Sequence, residues 1–190
     1  MKKTTLILFA VVGIFATMFS ACRKASPAHS TITYVNDAYT PMTVIINGYN
    51  QTIPAGGSAT YTGDVSSEAN GTATTSGTFG LTVSLTIADN YPDLSGDNVT
   101  YSLDIPAEYF YLKAVNTYTS PTSSIIVNLG LTSQTNEPVS VANDGNTYGI
   151  GYYYGFSNTV IKATYTDNTT LTISNLSIPN TLNASYTAQL

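Results

Sequence analysis

The chain has 190 residues, with 6 Lys and Arg against 11 Asp and Glu, a formal net charge of −5, one cysteine, one histidine and no tryptophan. Past residue 30 only Lys113 and Lys162 are basic, too few to build the face that neutralises phosphates, so no nucleic-acid partner is expected. A single cysteine rules out a disulfide within the chain.

The N-terminus opens on Lys2 and Lys3, followed by an uncharged apolar run from Leu6 to Phe19. That run falls short of the ~20 residues of a membrane-spanning helix and reads as a secretory signal over residues 1–21. Phe19, Ser20, Ala21 and Cys22 resemble the lipobox of exported bacterial lipoproteins, with Phe19 where Leu or Val is usual. The resemblance implies cleavage before Cys22 and its lipidation by a diacylglyceryl group and an N-acyl chain such as palmitate, which together anchor a protein stably in a membrane. Arg23 stands where Asp would mean retention in the inner membrane, so the resemblance implies the outer membrane. Basic Arg23 and Lys24 replace the acidic stretch of surface-exported lipoproteins, which implies the periplasmic face. Residues 22–30 are then the lipidated cysteine and its tether, and residues 31–190 the folded body.

That body is rich in Thr, Ser, Asn, Gly and Tyr and has few runs of helix formers, so strands are expected throughout. Short candidates run near Thr31 to Asn36, Met42 to Asn47 and Ser58 to Thr62. Leu81, Val83, Leu85 and Ile87 alternate with Thr82, Ser84 and Thr86 as in a half-buried strand. Val99, Tyr101, Leu103 and Ile105 repeat the pattern, as do Ile161, Ala163 and Tyr165. Tyr109 to Val115 is apolar on both faces and predicts a central strand covered on both sides, with Ile125 to Leu131 a second. Turn signals punctuate these runs: Asn47-Gly48, Pro54-Ala55-Gly56-Gly57, Ser95-Gly96-Asp97, Asn143-Asp144-Gly145-Asn146 and Asp167-Asn168. The fold class expected is all-β, an antiparallel β-sandwich.

The chain also resembles itself. Val35, Asn36, Pro41, Ile45 and Ile46 recur eighty residues on as Val115, Asn116, Pro121, Ile125 and Ile126. Val83, Thr86, Asp89 and Asn90 then match Ile161, Thr164, Asp167 and Asn168, and Leu103, Ile105 and Pro106 match Leu176, Ile178 and Pro179, with shrinking offsets. Two related halves, 31–108 and 109–190, are expected to pack together as one sandwich, the alternative being two tandem immunoglobulin-like domains.

Chemistry has little to work with. The one histidine, His29, sits in the tether, and no thiol is free for nucleophilic attack, so a triad or a Cys/His zinc site is not expected and neither is an enzyme. Asp89, Asp93, Asp97 and Asp104 cluster with Asn90, Ser95 and Asn98, oxygen ligands of the kind calcium takes, without the EF-hand spacing. Asp89, Asp93 and Asp97 are the candidate calcium ligands, the loop reading longer than its match at Asp167-Asn168; no other cofactor is expected. Tyr152, Tyr153 and Tyr154 lie between glycines, and alternation leaves Tyr152 and Tyr154 on one face as candidate binding residues. In texture the mature chain is similar to small Bacteroidetes lipoproteins with immunoglobulin-like sandwiches. That resemblance implies a non-enzymatic envelope protein presenting a β-surface to a protein partner or serving a structural role, with glycan binding through exposed tyrosines as the alternative.

Overall fold

The computed structural model describes residues 29–46, 48–64, 69–89, 98–128, 134–155 and 159–190. Cys22 and its lipobox therefore lie outside the described residues. The Thr-, aliphatic- and Tyr-rich runs form fifteen strands and no helix among the described residues. In the first half these are β1 (His29–Asn36), β2 (Met42–Ile46), β3 (Tyr49–Ile53), β4 (Ser58–Asp64), β5 (Ala69–Ser76), β6 (Phe79–Gly80), β7 (Thr82–Asp89) and β8 (Asn98–Leu103). The second half holds β9 (Tyr109–Val115), β10 (Thr122–Asn128), β11 (Gln134–Glu137), β12 (Thr147–Tyr154), β13 (Val160–Tyr165), β14 (Thr170–Ile173) and β15 (Ser185–Gln189).

Four sheets result, ordered β4-β1-β8, β3-β2-β5-β7, β15-β9-β12-β6 and β11-β10-β13-β14. With β6 set aside, the second half repeats the first strand for strand, β9 standing for β1 and β15 for β8. Each half is a three-stranded sheet facing a four-stranded one, an immunoglobulin-like sandwich with its own strand order. The sheets are not wholly antiparallel: β1 runs parallel to β8 and β9 to β15. The last strand of each half arrives from the opposite sheet, so no hairpin dictates its direction.

Two hydrophobic cores fill the sandwiches, one around Tyr34, Met42, Ile46, Ile53 and Val83, the other around Phe110, Leu112, Ile125, Ile150 and Ile161. They touch. Tyr111 and Tyr152 of the second half belong to the first core, and Phe79 of the first half packs on the second. The cores are thus separate, as in tandem sandwiches, while the boundary between them is shared, as in packed halves. β9 is covered on both faces as expected: Phe110, Leu112 and Ala114 enter the second core while Tyr111 enters the first. β10 differs, burying Ile125 and Val127 and leaving Ser123 exposed.

The repeat has a chemical lock. The carboxamide of Asn36, wholly buried, donates to the carbonyls of Thr40, Ile53 and Pro54 at 2.9–3.1 Å and accepts from the Ala38 N–H. Asn116, equally buried, donates to Ser120 and Val141 at 2.9 Å and accepts from the Tyr118 N–H. Each fixes the turn after the first strand of its half and ties it to carbonyls farther along, Ile53 and Pro54 at the end of β3 or Val141 beyond β11.

Beyond that segment the register departs from the sequence match. Val83 lies in β7, whereas Ile161 lies in β13, the counterpart of β5; Leu103 lies in β8, whereas Leu176 precedes β15. Pairing identifies the true counterparts: Thr75 opposes Met42 as Tyr165 opposes Thr122, and Ser102 opposes Val35 as Gln189 opposes Val115. Thr-aliphatic alternation looks alike at every even offset, so composition could not fix the register. The consequence reaches the candidate calcium loop. The β7–β8 connection matches the β14–β15 connection over 174–184, not the Asp167-Asn168 hairpin, and its apparent excess length disappears.

At the boundary, the link between β5 and β7 becomes an added strand for the second half: β6 pairs in parallel with β12, Phe79 beside Gly151 and Gly80 beside Tyr152. Glycine permits this approach. Gly80 holds φ +82°, and a Cβ on Gly151 would overlap the Phe79 carbonyl. On the far side Asn183 accepts from the Ile105 N–H at 2.7 Å and donates to Asp104 at 2.6 Å.

Candidate functional site

The outer face of the β15-β9-β12-β6 sheet carries a ladder of tyrosines. Cross-strand pairing sets Tyr111 beside Tyr152 and Tyr109 beside Tyr154; the first pair faces the first half and the second stands at the open end. Tyr111 and Tyr152 lie 4.9 Å apart between centroids, and Tyr39 from the β1–β2 turn stacks on Tyr111 at 5.3 Å and 12°. Lys113 Nζ sits 3.9 Å from the centroid of the Tyr39 ring, a cation–π contact. The Tyr152 hydroxyl accepts from the Tyr39 N–H at 3.0 Å and from Thr40 Oγ1 at 3.2 Å.

Tyr152 is therefore not a surface residue. It is wholly buried, as is Tyr153, while Tyr154 is 36% exposed. Alternation placed Tyr152 with Tyr154 on one face; the face is right, but the first half covers its inner part. A bulge between Gly149 and Gly151 re-registers β12 against β9 just before the tyrosines. Gly149 is itself needed there, because a Cβ would strike the Tyr111 hydroxyl.

Tyr154 remains the exposed member. Its ring stacks on Tyr109 at 4.6 Å and 27°, and Tyr109 donates its hydroxyl proton to the Tyr154 oxygen at 3.1 Å. That hydrogen bond, with partial burial and the nearby Tyr154 and Glu108 charges, pushes the Tyr109 phenol from 10.0 up to about 12. Burial also raises Tyr111 and Tyr152, the latter opposed by its hydrogen bonds with Thr40 and Tyr39. Sequence reasoning missed Tyr39, Tyr109 and Lys113. The signal lay in Tyr109, Tyr111 and Lys113, which alternate along one strand and meet Tyr152 and Tyr154 once β9 and β12 pair antiparallel.

A second feature lies at the far end of the second sandwich, a cleft of about 340 Å³ walled by Tyr118 and Tyr165, with Leu171, Leu190, Thr117 and Gln189 around it. The Tyr118 and Tyr165 rings are 4.4 Å apart.

The candidate calcium ligands fare differently. Asp89 ends β7, with its backbone paired to Ala69, while Asp93 and Asp97 lie outside the described residues. Among the described residues no three His, Cys, Asp or Glu side chains gather as a metal site.

No protein-family model and no curated protein matches the chain. Among solved structures, the chain is similar to the Bacillus anthracis TIE protein, at 9% identity and a TM-score of 0.27, over 86% of this chain and 34% of that one. It is also similar to a mutant of the shaft pilin spaA from Lactobacillus rhamnosus GG, at 8% identity and a TM-score of 0.34, over 86% of this chain and 99% of that one.

Proposed function

We propose that the mature chain is a non-enzymatic outer-membrane lipoprotein, anchored through Cys22 on the periplasmic face, whose two-sandwich body contacts a protein partner. One observation carries the choice of protein over glycan. A sugar-binding platform needs coplanar ring faces free to stack on a pyranose, and among the described residues the most exposed tyrosines each pack against another ring: Tyr154 on Tyr109, Tyr39 on Tyr111 and, tilted by 43°, Tyr118 against Tyr165. What each keeps open is part of one ring with its hydroxyl, the kind of amphipathic surface that tyrosine supplies to protein interfaces. The charge-poor surface agrees with a contact that depends on shape and hydrogen bonds rather than on ionic steering.

The test is a photo-cross-linking amino acid in place of Tyr154, in cells. A discrete ultraviolet-dependent adduct with an envelope protein is the expected result. Retardation of the purified chain in a polysaccharide gel, abolished by Tyr154→Ala, would instead establish glycan binding. The anchor is tested separately: Cys22→Ala should leave an unprocessed or soluble product, and a variant still found in membranes at mature size would refute lipidation.

A further inference from the structure

The two halves end alike in backbone and differently in what covers them. In the first half, the turn after β1 abuts the tyrosine ladder: Tyr39 stacks on Tyr111, and the Tyr39 N–H and Thr40 Oγ1 hold the Tyr152 hydroxyl. Ala38, Val83 and Leu103 share the core that those two rings enter. In the second half the same turn, after β9, lines the cleft of about 340 Å³. Register makes the two places equivalent. Tyr118 follows Asn116 as Ala38 follows Asn36, and Leu190 follows Gln189 as Leu103 follows Ser102, the Gln189–Val115 pair matching the Ser102–Val35 pair. Leu171 faces Ala163 as Leu85 faces Ala73. What receives two tyrosine rings in one half is an open cleft in the other.

We infer that this cleft is a docking site for an aromatic side chain, tyrosine above all, carried on the surface of a protein partner. The inference rests on the protein-contact reading above and names the chemistry of the contact. The equivalent end of the same molecule supplies the template for the occupant: a phenol ring stacked on the turn's aromatic residue, its hydroxyl held by turn N–H and O–H groups. Tyr118, 36% exposed, stands at the place of Ala38, one position before Thr119, the counterpart of Tyr39, and brings the turn's aromatic ring to the cleft from that neighbouring position. Tyr165, standing where the first half has Thr75, supplies one ring from within, so that the remaining space suits a further ring between Tyr118, Leu171 and Leu190. The rim keeps the polar partners a phenol needs in Thr117, Thr169, Thr170 and Gln189. The volume falls in the range of ordinary ligand pockets, and tyrosines in desolvated pockets dominate many protein interfaces.

The test places a single cysteine at Thr170, on the cleft rim, in the processed chain isolated in detergent, and labels it with a fluorine reporter. N-acetyl-tyrosinamide is titrated, with N-acetyl-leucinamide and a methyl glucoside as comparators. A saturable shift of the fluorine signal with the tyrosine probe alone, lost in Tyr118→Ala, is the expected result. Should the substituted chain unfold, the reporter is moved to Thr117 and the rim variant Gln189→Arg replaces Tyr118→Ala. An equal response to the leucine probe would overturn the aromatic specificity, and a response to the glucoside would overturn the protein occupant. A shift that grows with protein concentration alone would make the occupant a second copy, against the proposal. No response to any probe would overturn this site while leaving the adduct at Tyr154, the readout of the broader reading, unaffected.

Discussion

Single residues decide more of this fold than its repetitive composition suggests, and the buried amides come first. Asn36 satisfies three carbonyls and one N–H from a position with no solvent access. Asn36→Ala would strand several buried polar groups at ~1–3 kcal/mol each, lowering the melting point by ~2–4 °C per kcal/mol. Asn116→Ala should act alike, and chemical denaturation of both variants checks the pair; an unchanged midpoint in either would show that the lock is ornamental. Tyr153 predicts the opposite sign. Its hydroxyl is buried without a hydrogen-bond partner among the described residues, and burial drives its phenol well above the ordinary range. Tyr153→Phe removes an unsatisfied group while keeping the ring, so stability should hold or rise by up to ~1–3 kcal/mol. Both amides were legible in the sequence as matched letters, because Val35, Asn36 and Pro41 recur with the same spacing as Val115, Asn116 and Pro121. Their role was not legible, since the carbonyls they hold lie up to 25 residues away.

At the scale of the element, β12 shows why alternation alone misplaced a site. A period of two sorts side chains between faces but cannot say which face a second sandwich will cover. Tyr152 and Tyr154 share their face, and the first half arrives over Tyr152 alone. The tyrosine ladder gives this element a pH signature. Tyr109 titrates near 12 in the folded chain against an ordinary 10.0, so its contribution is intact below pH 10 and is lost as pH rises towards 12, where the unfolded chain ionises first. Tyr111, Tyr152 and Tyr165 are raised in the same direction. Denaturation midpoints should therefore fall steeply above pH 10, less steeply in Tyr109→Phe, with tyrosinate absorbance following the same curve. A flat profile through this range would mean that the ladder is not built as described. The backbone of the element is equally exacting: Gly151→Ala puts a methyl group against the Phe79 carbonyl, so it should detach β6 and expose the edge of β12. Amide exchange would report it as lost protection of the Leu81 N–H, which donates to the Tyr152 carbonyl at 2.8 Å.

The whole molecule is a repeat whose boundary is not itself repeated. Ser102 and Gln189 were brought into correspondence by pairing, and the same logic places Thr31 where Tyr111 stands, since Thr31 opposes Thr62 as Tyr111 opposes Tyr152. The first sandwich thus offers threonines where the second offers rings, and copies of the chain cannot stack through a duplicate of the internal boundary. The halves were legible in sequence, as was the all-β class. The boundary was not, because it depends on a two-residue strand and on which of two similar faces carries aromatics. That boundary makes the last prediction. Tyr152 is anchored in one half by its strand and buried in the core of the other, so neither core can open without disturbing the second, and the intact body should melt in one calorimetric transition. Tyr152→Ala removes the ring that joins them, at ~3–5 kcal/mol for an aromatic truncated in a core. The loss falls on the first core, which should then melt ~10 °C or more below the second, splitting the transition in two. Tyr154→Ala, on the same strand but at its exposed end, should keep the single transition. Two well-separated transitions in the unaltered chain would show the cores to be independent and the shared tyrosines to be mere contact.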